Sequence, residues 1–153
     1  MNTSQNLKNV DFSVITNEDF DPESISERKF ISVISNKVCA QVAIAKIEFI
    51  EQEGRKIHIH TDSNDYLCYQ SMEKVAVALG GRAFYRPMKS LILNFERVAR
   101  LENQEIVFAS GYVFPLGRNN FIKVRQAFKR YLMHYPPFST LTGARVAEDR
   151  LYK

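Results

Sequence analysis

The chain reads as a mainly β domain that also carries a short mid-chain helix and a C-terminal helix. Three observations lead there. Short runs rich in Val, Ile, Phe and Tyr recur between Gly, Asn and Asp turns. One run, Arg55 to Thr61, alternates strictly, with Ile57 and Ile59 on one face and Lys56, His58 and His60 on the other. Helical spacing shows in two places, after Ser71 and after Gly117.

At 153 residues, 45% apolar and 12% aromatic, the chain is long enough to bury one real core. Its formal charge of +4 is unevenly spread. Residues 1–29 hold three Lys/Arg against six Asp/Glu, which leaves 18 against 11 and a body of about +7. Such a surplus favours polyanionic partners. Cys39 and Cys68 make no disulfide framework and stand at no metal-ligand spacing, which fits reduced thiols. Met1 to Val10 lacks the apolar core of a signal peptide, and no run approaches the roughly 20 apolar residues of a spanning helix. The expectation is a soluble cytoplasmic protein with no membrane partner.

Residues 1–29 are polar and acidic, with turn chemistry at Asp21-Pro22-Glu23-Ser24, and read as a flexible leader that could lie over the positive body. The body starts at Phe30. Phe30–Ser35 is β-rich and stops at Asn36-Lys37, and Val38–Ala45 and Lys46–Glu51 continue the theme before a tight connection at Gln52-Glu53-Gly54. Asp62 to Asp65 is a polar turn and Tyr66–Gln70 the returning strand. Ser71 caps a helix whose apolar residues are Met72, Val75 and Leu79, with Glu73 in its first turn and Gly80-Gly81 as its stop.

The central stretch, Phe84 to Asn94, places Arg86 and Lys89 three apart with Pro87 between them. A residue before proline is pushed towards extended or turn geometry, so both cations are expected to project from one exposed bend, after which Ser90–Asn94 turns inward. Arg97–Leu101, Glu105–Ala109 and Tyr112–Leu116 read as strands around Glu102-Asn103-Gln104 and Ser110-Gly111. Asn119 or Asn120 is expected to cap the second helix, whose apolar face is Phe121, Val124, Phe128 and Tyr131 or Leu132, and Pro136-Pro137 to end it. Arg118 beside the free N–H groups of that helix start suits a phosphate. The body is bounded at 30–132, and 133–153 is a tail with no firm period.

His58 and His60 share a strand face, but no third and fourth ligand stands at a recognisable spacing, so no metal is assigned. Catalysis is not expected either: the acids of the body are scattered, and there is no Walker loop or nucleophile elbow. No cofactor is implied.

The order of several pieces resembles the LytTR DNA-binding domain of bacterial response regulators and related transcription factors. They are Ile47-Glu48-Phe49-Ile50-Glu51, the Ile57-His58-Ile59-His60-Thr61 strand, the Ser71-Met72 helix start, then Phe84, Arg86, Lys89, Ser90 and Leu93-Asn94, and finally Pro115-Leu116-Gly117-Arg118-Asn119. The resemblance implies about ten short strands in small packed sheets, with loops entering the DNA major groove. Carried over by position, it implies DNA-facing residues at Arg55 and Lys56, at Lys89, and at Arg118 with Asn119 nearby, while Arg86 is structural or meets a phosphate. It also implies double-stranded DNA as the partner, bound by two copies on paired sites or by a homodimer. Three departures stand out: Met88 where the family often has His, Gly117 where Ser or Thr is common, and a 29-residue leader too short for a receiver domain. The reading is a receiver-less, sequence-specific transcriptional regulator. The alternative is a protein-interaction or inhibitory module whose LytTR-like body has lost DNA affinity.

Overall fold

A five-stranded antiparallel sheet forms the middle layer, in the order β5-β4-β3-β7-β6. Its strands are β3 (Ile47–Glu53), β4 (Lys56–Thr61), β5 (Asp65–Tyr69), β6 (Phe84–Met88) and β7 (Leu91–Asn94). The computed structural model describes residues 30–81, 83–134, 141–143, 145 and 147, so the acidic leader, Pro136-Pro137 and most of the C-terminal tail lie outside the described residues. A hairpin of β1 (Phe30–Ile34) and β2 (Cys39–Ala43) makes a second sheet. The third is ordered β10-β9-β8, from β8 (Val98–Glu102), β9 (Glu105–Phe108) and β10 (Val113–Pro115). Two helices complete the body, α1 (Met72–Leu79) and α2 (Arg118–His134). The mostly β architecture with two helices is the one expected from the sequence. No helix among the described residues is long and apolar enough to cross a membrane.

Strand alternation divides the core in two. Ile50, Ile57, Ile59 and Ile92 point to one face of the middle sheet, where they bury Ile31, Val33 and Val42 of the first hairpin and Met72, Val75, Ala78 and Leu79 of α1. Phe49, Leu91 and Leu93 point to the other face, against Ile106 and Phe108 of the third sheet and Val124, Ala127 and Tyr131 of α2. The fully buried Ile57 and Ile59 contribute about 1.5–3 kcal/mol each by leaving water.

The helix ends follow from their chemistry. Ser71 Oγ accepts from Lys74 N at 3.2 Å, as an N-cap does, and Gly80 takes φ +55 to stop α1, a conformation costly for a residue with a Cβ. The start of α2 differs from expectation. It begins at Arg118, so Asn119 and Asn120 lie in its first turn rather than at its cap, and Gly117 O accepts the first helical bond from Phe121 N at 2.8 Å. Gly117 thus takes the cap position, where glycine is tolerated. The helix is described as far as His134, and Pro136-Pro137, expected to end it, lies outside the described residues.

A bulge in β3 shapes the rest. Ile47 pairs with Thr61 and Phe49 with His60, leaving Glu48 as the extra residue, so Ile47 and Phe49 enter opposite cores although they are two apart. Asn94, 1% exposed at the end of β7, closes the disturbed region. Its Nδ2 donates to Ile47 O at 2.8 Å, and its Oδ1 accepts from Glu96 N at 3.0 Å to cap the short 3-10 helix Phe95–Arg97. Asn94→Ala strands a buried carbonyl and removes a cap, so it should cost about 2–4 kcal/mol. Urea unfolding reads this directly; a loss below about 0.5 kcal/mol would mean the two bonds add nothing net of water.

Candidate nucleic-acid interface

Three turns that are far apart in sequence meet at one end of the middle sheet. The β3–β4 turn at Gly54-Arg55 closes the pair Glu53↔Lys56. Next to it, Glu51 pairs with Leu91 and Gln52 N donates to Ser90 O at 2.9 Å, which sets the Lys89-Ser90 turn of β6–β7 beside the first. The third piece is the start of α2, which packs on β6 and whose Asn120 Nδ2 lies 3.9 Å from Met88 Sδ, one residue before Lys89. Arg55, Lys56, Lys89, Arg118 and Asn119 thus share one edge, and all five are exposed. Glu53 stands opposite Lys56, so the excess positive charge of this edge comes from Arg55, Lys89 and Arg118.

Arg86 behaves differently from the bend residue the sequence suggested. It belongs to β6 and is half-buried, with Arg86 and Pro87 together opposing Ile92 in a bulge of the edge strand. Proline has no N–H to give a ladder, which is why it is accommodated at such a site. The Arg86 side chain folds back over the turn: Nε donates to Lys89 O at 3.2 Å, and one terminal nitrogen donates to the same carbonyl at 2.7 Å and to Glu73 Oε2 at 3.1 Å. One guanidinium therefore fixes the turn that presents Lys89 and ties it to the first turn of α1.

Behind the edge, Lys56, His58 and His60 line one face of β4, as the alternation indicated. Glu48, Gln52 and Ser90 were given no site role by sequence reasoning, because their roles depend on partners 38 or more residues away, such as Ser110 for Glu48 and Ser90 for Gln52, and so on the register of β3 with β7. Asn120, read from the sequence as a possible cap, instead stands four residues before the buried Val124, on the face of α2 that meets Met88.

The comparison with known families decides what this edge belongs to. The model of the LytTr DNA-binding domain matches residues 37–129, which is more than half of the chain. The chain belongs to the LytTR family. All six residues singled out from the sequence fall inside the LytTR match, which runs from the turn before β2 into α2. A solved relative of the fold is the "LytTr DNA-binding domain of putative methyl-accepting/DNA response regulator from Bacillus cereus". It aligns with a TM-score of 0.54 at 13% identity over 65% of this chain and 96% of that one. At that identity the likeness speaks for the LytTR fold alone. No curated protein matches.

Glu73 offers a check on the Arg86 clamp. A backbone hydrogen bond at the start of α1, and then the Arg86 guanidinium, hold its carboxyl below the ordinary 4.5. A depressed carboxylate stabilises the fold above its unfolded pKa and loses that contribution as pH falls through the folded one. Arg86→Met should move the Glu73 titration up towards 4.5 and flatten this acid dependence, as followed by NMR of the carboxyl carbon. An unmoved titration would mean that the 3.1 Å pair does not form in solution.

Proposed function

We propose that this chain is a sequence-specific double-stranded DNA-binding transcriptional regulator that enters the major groove with the loops of its basic edge. The observation that carries this reading is the convergence of Arg55, Lys56, Lys89, Arg118 and Asn119 at one end of a LytTR-family domain. Arg55 and Arg118 are the candidates for base edges, because a guanidinium matches guanine O6 and N7 with two parallel bonds. Lys56 and Lys89 supply charge to phosphates or a simpler base contact. The start of α2 adds backbone N–H groups and the positive end of a helix dipole, which suit a phosphate beside Arg118. Arg86 acts on DNA through the turn it holds, not by touching it. The body from 30 to the end of α2 carries the binding, with two copies on paired sites.

Selection from a random DNA pool, followed by gel-shift titration on the enriched site, tests this. With about six phosphates neutralised, log K should fall against log salt with a slope of about −5. Arg118→Ala should cost about 1–3 kcal/mol and relax base choice at one position, while Lys56→Ala should weaken all sequences alike and reduce the slope by about 1. No enrichment from the pool, with or without residues 1–29, would instead favour an interaction module that does not bind DNA.

A further inference from the structure

Away from the basic edge, β4 and β5 bring together three metal-ligating side chains. His58 and His60 share a face of β4, and Asp65 is the register partner of His60 on β5. Asp65 Oδ1 lies 2.7 Å from His60 Nδ1, and Asp65 Oδ2 lies 3.4 Å from His58 Nε2. One donor atom from each of the three falls within 4.8 Å of the others. Two donors on a tetrahedral zinc ion stand about 3.4 Å apart, given bonds of about 2.0–2.1 Å, so small rotations of the two solvent-facing side chains close the set. His58 and Asp65 are free to make them, with side chains 33% and 54% exposed.

The second observation is the fully buried Glu48 on the other side of the His60 ring. Its Oε1 is 3.4 Å from His60 Nε2, and Ser110 Oγ fixes the same carboxylate oxygen at 2.6 Å. His60 is therefore flanked by a carboxylate at each nitrogen. A neutral imidazole carries one N–H, so one of the two carboxylates always faces a lone pair. A divalent ion resolves the conflict by taking the Nδ1 lone pair and an Asp65 oxygen, leaving Nε2–H for Glu48. That is the arrangement in which a carboxylate behind a ligating histidine sets its tautomer and orientation.

We propose that His58, His60 and Asp65 bind one late first-row divalent ion of the zinc type, oriented through Glu48. Two imidazoles and one carboxylate suit Zn2+ or Co2+ and are poor for Ca2+ or Mg2+, which want more oxygen ligands. The fourth position opens on a polar cleft of about 330 Å³ lined by His60, Asp62, Asp65, Ser110 and Tyr112, where water can complete the set. The ion joins β4 to β5, the outer strand of the sheet.

The test is titration of the metal-stripped, reduced full chain with Zn2+ by calorimetry and with Co2+ by visible absorption. One equivalent should bind, with tetrahedral cobalt bands. His58→Ala and Asp65→Asn should each weaken uptake by about tenfold or more, in line with the cost of losing support at a metal site, and Cys39→Ser should leave it unchanged. These two variants decide the matter, because His60 stacks on Phe49 at 4.6 Å and its loss would also disturb the core. No uptake by the parent chain overturns the proposal. So does uptake that both ligand variants retain, or that only Cys39→Ser removes. DNA affinity is not the readout, so failure here leaves the DNA reading untouched, and the reverse holds as well.

Discussion

A carboxylate with no access to water sets the terms for this fold. Glu48 is 0% exposed, and a buried charge survives only where hydrogen bonds and counter-charges replace its hydration. Ser110 N and Oγ donate to it at 3.1 and 2.6 Å, and Arg97 and His60 stand within 3.4 Å. Those partners come from the β9–β10 turn, the 3-10 helix before β8, and β4. Breaking such a set by removing one member typically costs about 3–5 kcal/mol, since the remaining charge stays buried. The network therefore works as a register pin: the third sheet seats on the middle sheet only where Ser110 meets Glu48. A slide of one residue would leave the carboxylate without its donors.

That seating determines where the basic edge forms. Leu116 N donates to Gln104 O at 2.9 Å, so the segment leaving β10 is tied to the β8–β9 turn just before α2 begins. The first turn of α2 is thereby aimed at the end of β6, where it meets Met88. The start of α2 comes to the end of the sheet that carries the Lys89 and Arg55 turns because two sheets are locked face to face, not because the three segments are near in sequence. Turns are the natural place for such groups. Strand residues here alternate into two cores, and a cation pointed into either would lack a partner.

How far the sequence discloses this depends on the range of each interaction. The strict alternation of Arg55–Thr61, the Ser71 cap and the Gly80-Gly81 stop are local, and each has its expected place in the structure. The placement of Lys89 in a turn was equally readable. Arg86 was not: its direction is chosen by Lys89 O and Glu73, the latter 13 residues away on α1, and by a bulge that Pro87 forces on the strand. The same holds for the bulge at Glu48, which sends Ile47 and Phe49 to opposite cores although alternation puts them together. The start of α2 misled for a subtler reason. Asparagine is a strong capping residue, but the helix begins earlier, with Gly117 in the cap position, so Asn119 and Asn120 fall inside its first turn.

Strand β4 connects two chemistries that are otherwise separate. Lys56 lies at its turn end, while His60 and its cross-strand partner Asp65 lie four residues further along, about 13 Å at the usual strand rise of about 3.3 Å per residue. The Debye length at physiological salt is about 8 Å, so a change of charge at His60 is largely screened from a phosphate at Lys56. Direct electrostatic coupling between the two ends is therefore weak. Any stronger influence of the histidine cluster on the basic edge has to be mechanical, through the ladders of β4, as in its pairing with β5, where Lys56 faces Tyr69 and His60 faces Asp65. A shift of Asp65 towards His58 and His60 draws on the same hydrogen-bonded ladder that holds Lys56 in place. In this fold, then, the ladders that β4 makes with β5 and with β3, where Lys56 faces Glu53 and His60 faces Phe49, are the short routes between the two ends.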